Sequence, residues 1–162
     1  MTGMHESRLK RAKDQRVQRA KARALAKLEA KLVPGADKPV FAYRCAKSGA
    51  PFAVAFGKFR GDETYTVLAI TTETAVTESA LQVSPVTHFN TALFKWAGVV
   101  CPHCAASGAG VDCSACGETV CNGSKTTQAD GTRHFRCQPR CQASGQVEPV
   151  KTTPGHNAVR PA

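Results

Sequence analysis

Hydrophobic and polar residues follow different patterns in successive parts of the chain. Residues 5–33 consist almost entirely of Ala, Leu, Lys, Arg, Gln and Glu, without Gly or Pro, and a thin apolar stripe recurs at roughly helical spacing. This pattern predicts a helix that ends where Pro34 and Gly35 interrupt it. Because much of the stripe is alanine, the helix has little apolar surface with which to pack.

Residues 38–98 change to runs of aromatic and β-branched residues separated by turn signals. In the second run, Phe52, Val54 and Phe56 share one face at a period of two, which is typical of a half-buried strand. The runs span residues 40–45, 51–60 and 64–72. They predict a three-stranded antiparallel meander.

The region that follows the third run is less clearly patterned. Residues 81–85 are expected to form a loop, whereas residues 89–98 fit either a short helix or a fourth strand. Trp96 stands shortly before the first cysteine pair. It is expected to pack the sheet against the cysteine-rich segment.

Together these patterns predict a small α+β, mostly β protein: an antiparallel meander followed by a zinc-ribbon-like module, with a basic N-terminal helix. The cysteine-rich segment is too polar and glycine-rich to fold unaided, so a metal cross-link is expected there. The polar, proline-containing C-terminus predicts a disordered tail. The segments are a helical arm (1–36), a β segment (38–98), a zinc-binding cysteine module (99–148) and the tail (149–162).

Charge sets the arm apart from the rest of the chain. The formal net charge is +10, and residues 1–40 hold eleven Lys/Arg against four Asp/Glu. Such an arm predicts either phosphate contacts with nucleic acid or a solvated basic tail. A membrane-surface helix is disfavoured because the arm has neither Trp nor Phe. The candidate phosphate-binding residues are Arg8, Lys10, Arg11, Lys13, Arg16, Arg19, Lys21 and Arg23.

The eight cysteines direct attention to metal chemistry. The chain has no run of eighteen apolar residues and no apolar segment of a secretory signal, so a cytoplasmic location is expected. Thiols stay reduced there, which favours a metal site over disulfides.

Seven of the cysteines have the spacing of zinc ligands. Two Cys-x2-Cys pairs allow adjacent thiolates on a tight turn to point at one ion, and Gly117 suits the turn after the second pair. One or two Zn²⁺ ions are therefore expected. The candidate ligands are Cys101, Cys104, Cys113, Cys116, Cys121, Cys137 and Cys141.

Spacing alone leaves the grouping of these ligands open. A zinc ribbon would combine the first pair with Cys137 and Cys141, whereas the alternative combines the first and second pairs. In the ribbon arrangement three thiols remain, and His103 or His134 could complete a second site. Cys45 is the least favoured ligand and is expected to be a small buried strand residue.

Other cysteine chemistries fit the spacing less well. The intervals match neither usual ferredoxin run, and a thioredoxin-like motif would need a βαβ context. No His-Glu-x-x-His or His-x-Glu signature accompanies the cysteines, so catalysis by zinc is not expected. No small-molecule substrate is evident.

Several motifs carry a resemblance to a known family. CPHC, CSACGETVCNG and FRCQPRCQASGQV, with YRCAKSGAPFAVAF upstream, resemble the C-terminal metal-binding domain of the tellurite-resistance TerY family over about residues 40–148. The resemblance implies a non-enzymatic zinc module, linked to tellurite resistance or stress response, that acts through an unidentified protein partner. The last motif departs from the family pattern because three residues, not two, separate Cys137 from Cys141 and the glycine is delayed to Gly145.

Overall fold

The computed structural model describes residues 3–72 and 85–157 and divides the chain into two units, residues 1–34 and 35–162. The first unit contains helix α1, Gly3–Glu29. The helix ends at Glu29 rather than at residue 33, because the amides of Lys31 and Leu32 bond carbonyls only three residues back. In the described residues, no helix is long and apolar enough to cross a membrane.

The regular elements described in the second unit are strands and short 3-10 turns, which confirms the mostly β class of the fold. The larger sheet has the order β3-β2-β1-β10-β4; β6 also pairs with β1, in parallel, and β5 pairs with β6. A smaller sheet has the order β7-β8-β9. The described strands are β1 Pro39–Arg44, β2 Pro51–Lys58, β3 Tyr65–Thr71, β4 Val86–Asn90, β5 Val111–Asp112, β6 Thr119–Val120, β7 Thr126–Thr127, β8 Arg133–Arg136, β9 Ser144–Gln146 and β10 Thr152–Asn157.

The predicted meander is strands β1, β2 and β3, which pair antiparallel in sequence order. Phe52, Val54 and Phe56 are buried as expected. The residues between them are more buried than a half-buried strand requires, and Ala53 is only 3% exposed. β2 is an inner strand of the sheet, paired with β1 on one side and with β3 on the other.

The C-terminal segment corrects the prediction of a disordered tail over 149–162, because Thr152–Asn157 forms β10 in the larger sheet. Proline is tolerated at position 154 because β1 pairs only with the last two residues of β10. Pro154 therefore has a neighbouring strand on one side only, opposite His88 of β4. Gly155 leaves room for the Phe41 ring, which an added Cβ would approach to 2.6 Å.

An aromatic cluster fills the core of this unit. Phe41 contacts Phe56, Phe89, Phe94 and Trp96 edge to face, with ring centroids 5.2–5.6 Å apart. Such pairs add roughly 0.5–1.5 kcal/mol each beyond the burial of their area. The cluster is therefore the main apolar support of the sheet.

The ambiguous segment 89–98 is part strand and part helix. It completes β4 and then makes two 3-10 turns, Thr91–Leu93 and Trp96–Gly98. The indole of Trp96 donates to the carbonyl of Thr91 at 2.8 Å, so its polar atom is satisfied. Of the expected loop at 81–85, residues 81–84 lie outside the described part of the chain.

The boundary expected between the β segment and the cysteine module, near residue 98, falls inside the second unit. Val120 of β6 pairs in parallel with Arg44 of β1, so the module shares the larger sheet. The side chains of Arg44 and Glu118 form an ion pair at 2.6 Å at the same point. The cysteine module is thus joined to the larger sheet and is not a separate domain.

Candidate metal centres

Seven of the cysteines lie in four loops of similar backbone conformation. The two residues that flank each loop pair with each other in antiparallel fashion. Loop 1 is residues 45–50, loop 2 is 101–106, loop 3 is 113–118 and loop 4 is 137–143. A cysteine opens each loop. The closing pairs are Arg44 with Pro51, Val100 with Ser107, Asp112 with Thr119, and Arg136 with Ser144.

Loops 1 to 3 share two backbone hydrogen bonds. The amide of the opening cysteine donates to the carbonyl five residues later, and the amide four residues later donates back to the cysteine carbonyl. The first set is Cys45 to Ala50 (2.9 Å), Cys101 to Ala106 (2.8 Å) and Cys113 to Glu118 (3.0 Å). The second set is Gly49 to Cys45 (2.8 Å), Ala105 to Cys101 (2.9 Å) and Gly117 to Cys113 (2.7 Å).

The fifth residue of each of these loops has a left-handed backbone. Gly49 has φ 73°, Gly117 has φ 74° and Ala105 has φ 59°. Glycine takes this conformation without steric cost, whereas Ala105 is strained by its Cβ. This conformation turns the chain back, so that the carbonyl of the sixth residue can accept the amide of the opening cysteine.

Loop 4 makes the same kind of turn with one extra residue. The amide of Cys137 donates to the carbonyl of Ala143 at 2.7 Å, six residues later. Gln142, which follows Cys141, takes the left-handed conformation with φ 56°. The three-residue spacer of this last pair is therefore absorbed within the loop.

Loops 1 and 2 meet to form cluster A, whose four sulfur atoms lie within 4.8 Å of one another. Three of these thiols are buried, and the Sγ atoms of Cys104 and Cys121 are 3.5 Å apart. The members of cluster A are Cys45, Cys101, Cys104 and Cys121.

Cluster A contains only one cysteine from loop 1, because the fourth residue of that loop is Ser48. The Ser48 side chain forms a hydrogen bond with the Cys45 thiol, and its Oγ accepts the amide of Ala50 at 3.3 Å. The missing thiol is supplied by Cys121, which directly follows β6.

Loops 3 and 4 meet to form cluster B, whose sulfur atoms also lie within 4.8 Å of one another. The Sγ atoms of Cys116 and Cys137 are 3.7 Å apart, and those of Cys113 and Cys141 are 3.9 Å apart. Cys116 is exposed, unlike any thiol of cluster A. The two clusters therefore differ in their access to solvent.

Both clusters have the dimensions of a tetrathiolate metal site. Four sulfurs at the usual Zn–S distance of ~2.3 Å form a tetrahedron with an edge of ~3.8 Å. The closest sulfur pairs, at 3.5, 3.7 and 3.9 Å, are near that value. Each cluster offers four thiols and therefore a full coordination set, so the residues fit a tetrahedral soft-metal ion.

Backbone amides approach the sulfurs, as in sites that hold several thiolates around one ion. The amide of Ala46 donates to Sγ of Cys121 at 3.3 Å, across cluster A. Amides of Ala115 and Cys116 bond the sulfur of Cys113 in cluster B. These donors stabilise negative charge on sulfur and fix its direction.

Gly123 lies against two sulfur atoms of cluster A, and its lack of a side chain leaves room for them. A Cβ at this position would lie 2.8 Å from Sγ of Cys104 and 3.3 Å from Sγ of Cys121. Real Cβ atoms do not approach to 2.8 Å, so a side chain here must displace the cluster. The glycine is required by the sulfurs and not by its own backbone conformation.

Without a cation between them, the thiols of each cluster differ in how readily they ionise. Burial acts to raise the pKa of Cys45, yet hydrogen bonds from Ser48 and nearby amides outweigh it and lower the pKa to about 6. Burial raises the pKa of Cys101 to about 12. In cluster B, burial and neighbouring thiols raise the pKa of Cys137. A divalent cation between the sulfurs would allow all four to ionise.

The clusters contain all seven predicted ligands and group them differently from both expected arrangements. Cys101 and Cys104 join neither loop 3 nor loop 4, and Cys45 is a cluster member rather than a simple buried residue. Neither histidine considered as a ligand belongs to a cluster: His103 lies 3.2 Å from the carbonyl of Pro51, and His134 lies near Thr132.

The candidate phosphate-binding residues of the arm all fall within α1. The helix spans the predicted positions from Arg8 to Arg23, and from Asp14 to Glu29 the side chains are exposed. They are remote in sequence from the clusters, and no cysteine lies in the helix. The arm and the clusters are thus separate candidate sites.

Comparison with known proteins yields no match to a family model, to a curated protein or to a solved structure. The fold and the two clusters therefore define the class: a mostly β protein with two tetrathiol clusters that could bind metal.

Proposed function

We propose that the chain binds two Zn²⁺ ions, one in each cluster, and acts as a structural and interaction module without enzymatic activity. The observation that carries this proposal is the complete sorting of all eight cysteines into two groups of four. Eight thiols scattered for packing alone would not fall into two sets with tetrahedral spacing.

Zinc is favoured over other metals by the chemistry of the ligands. Four thiolates and no open position are typical of structural zinc sites. An iron–sulfur cluster needs a wider cage, because several irons and sulfides lie between the thiolates. A single iron ion would fit the same four sulfurs, and elemental analysis distinguishes iron from zinc.

A structural role follows from what the ions would connect. Cluster A joins the end of β1, loop 2 and the residue after β6, and cluster B joins loop 3 to loop 4. The ion in cluster A would therefore fasten the module to the larger sheet. Structural zinc supplies folding free energy directly, and the aromatic core here is small.

Two acids at loop 3, Asp112 and Glu118, make structural contacts, which supports a non-catalytic role for them. A cleft of about 750 Å³ lies beside loop 3, and Asp112 is one of its carboxylates. That carboxylate accepts hydrogen bonds from Thr119 at 2.6 Å and Thr153 at 3.1 Å. Glu118 is held by Arg44 and Gln138. Both acids are thus engaged in structural contacts.

The proposal is tested by native mass spectrometry and elemental analysis of the purified chain. Two zinc ions per chain are expected, and Cys45→Ser should reduce the content to one. Ser48→Ala is the matched control, because it alters the same loop without removing a sulfur, and it should keep both ions. A wild-type content below two, or an unchanged content in Cys45→Ser, contradicts the proposal.

A role in tellurite resistance or stress response, in the cytoplasm and through a protein partner, is the narrower form of this proposal. It is supported by the motif resemblance and by the need of free thiols for reducing conditions. In a cell that lacks the native protein, growth on tellurite should be restored by the wild-type chain and not by Cys45→Ser. Equal growth with both chains would remove this role.

A further inference from the structure

Four cations lie along one side of α1. Arg16, Arg19, Arg23 and Lys27 follow one another at intervals of three, four and four residues, so they share a face of the helix. We call these four residues the basic stripe. At 1.5 Å per residue the stripe is about 16 Å long.

The charge of the basic stripe is not neutralised within the described part of the chain. Its side chains are exposed, and the two ion pairs found among the described residues, Arg44–Glu118 and Lys95–Asp62, involve no residue of α1. Like charges three or four residues apart repel one another and destabilise the helix. An anionic partner would remove that repulsion.

The other side of the helix argues against a membrane as this partner. Val17, Leu25 and Leu28 are exposed there, interrupted by Lys21, and no aromatic residue accompanies them. An interfacial helix needs a wider apolar face to bury among the lipids. The cationic side is therefore the stronger binding surface.

We infer that the basic stripe docks on the phosphate backbone of a nucleic-acid duplex without reading its sequence. Three of its four cations are arginines, whose planar guanidinium groups bind phosphate through two parallel hydrogen bonds. A duplex carries one negative charge per ~1.7 Å of its axis, so each cation finds a phosphate along the stripe. This activity is separate from the proposed zinc sites.

The inference makes a quantitative prediction about salt. Four phosphate contacts contribute a slope of about −3.6 to the dependence of log K on log salt concentration. The stripe therefore accounts for about 150-fold of the affinity lost between 50 and 200 mM salt. Other basic residues of the arm would add to the total slope of the wild-type chain.

The test is a fluorescence titration of the full zinc-bound chain with a 20-base-pair duplex at several salt concentrations. Replacing the four stripe residues with glutamine keeps good helix formers and removes the charge. The salt slope should become shallower by about 3.6. Circular dichroism and zinc content should not change, which separates this result from failure of the metal proposal.

A matched control removes the same charge from exposed positions in the second unit, namely Arg60, Arg133, Arg136 and Lys151, each replaced by glutamine. This variant should keep the wild-type slope. The inference is overturned if the salt slope falls equally in both variants or if the stripe variant keeps the wild-type slope. It is also overturned if the chain binds anionic vesicles but no duplex.

Discussion

Ser48 and Cys104 occupy the same position in two loops with the same backbone hydrogen bonds. Each follows its opening cysteine by three residues and precedes a left-handed residue, Gly49 or Ala105. In loop 2 this position supplies a sulfur to cluster A, whereas in loop 1 the sulfur comes from Cys121 instead. Loop 1 thus has the turn of a Cys-x2-Cys loop without the second thiol, and Cys121, the residue after β6, supplies that thiol to cluster A.

This relationship predicts that the fourth ligand can be moved. Cys121→Ser should leave one zinc per chain and lower the melting temperature by about 10 °C or more, because cluster A loses a ligand and its cross-link. Adding Ser48→Cys to that variant should restore the second ion, since the new thiol lies at the position that Cys104 has in loop 2. Metal analysis and thermal unfolding measure both effects.

Ser48→Cys alone is the control for this exchange, and it should keep two ions. If the double variant binds no more zinc than Cys121→Ser, then the Ser48 position does not point into the cluster and the equivalence of the two loops is wrong.

A second prediction concerns the close approach of Gly123 to the sulfur atoms of cluster A. Gly123→Ala should weaken zinc binding there, because the added Cβ would lie 2.8 Å from Sγ of Cys104. Competition with a chromophoric chelator should show one of the two ions released at a lower chelator concentration than in the wild type. Gly145→Ala is the control, since its Cβ would meet Phe135 at an ordinary 3.6 Å. Equal release from both variants would count against a tight fit at Gly123.

Much of the fold follows from local pattern. The alternation of Phe52, Val54 and Phe56 predicts the meander because each strand lies beside its neighbour in sequence, and hairpin pairing is local. The seven expected ligands all lie in the two cysteine clusters, and their spacing could be read because it reflects a turn of a few residues.

The spacing of the cysteines does not predict which four of them group together, because the grouping depends on contacts between residues far apart in sequence. Cys121 reaches cluster A because β6 pairs with β1 at Val120 and Arg44, a contact between residues far apart in sequence. Spacing makes Cys45 the least favoured ligand because the fourth residue of loop 1 is a serine, although the Cys-x2-Ser-Gly motif has the same turn as Cys-x2-Cys-Gly in loop 3. That similarity was the available signal.

The strand β10 was missed for a different reason. Its sequence contains Pro154 and Gly155, which disfavour a strand, and both are tolerated only because of particular neighbours. Proline lies where β1 no longer pairs, and glycine lies where Phe41 needs space. Tertiary contacts therefore override local propensity here.

A third prediction concerns Tyr43, a buried residue of β1. Burial raises the pKa of its phenol well above the ordinary value of 10.0. The unfolded chain ionises as the pH passes 10 while the folded chain stays neutral, so stability is lost as the pH rises above that point. One proton corresponds to about 1.4 kcal/mol per pH unit.

The test compares the free energy of unfolding of the zinc-bound wild type and Tyr43→Phe between pH 8 and 11. The variant should have the shallower decline above pH 10, because it has no phenol to ionise. The variant should also be less stable than the wild type at lower pH by about 1 kcal/mol, because it lacks the hydrogen bond that the Tyr43 hydroxyl makes with the backbone of Gly110. Parallel curves for the two proteins would refute the assignment.

The final prediction is the order in which the two ions leave. Cluster B contains the exposed thiol of Cys116, whereas three of the four thiols of cluster A are buried. A chelator must reach the metal or a ligand, and protons must reach the sulfurs, so cluster B should lose its ion first. Native mass spectrometry at rising chelator concentration should show a one-zinc form. Cys116→Ser should carry one ion and lack the easily released one, and Cys104→Ser should also carry one ion but keep that early release. Early release from Cys116→Ser together with late release from Cys104→Ser would instead place the labile ion in cluster A.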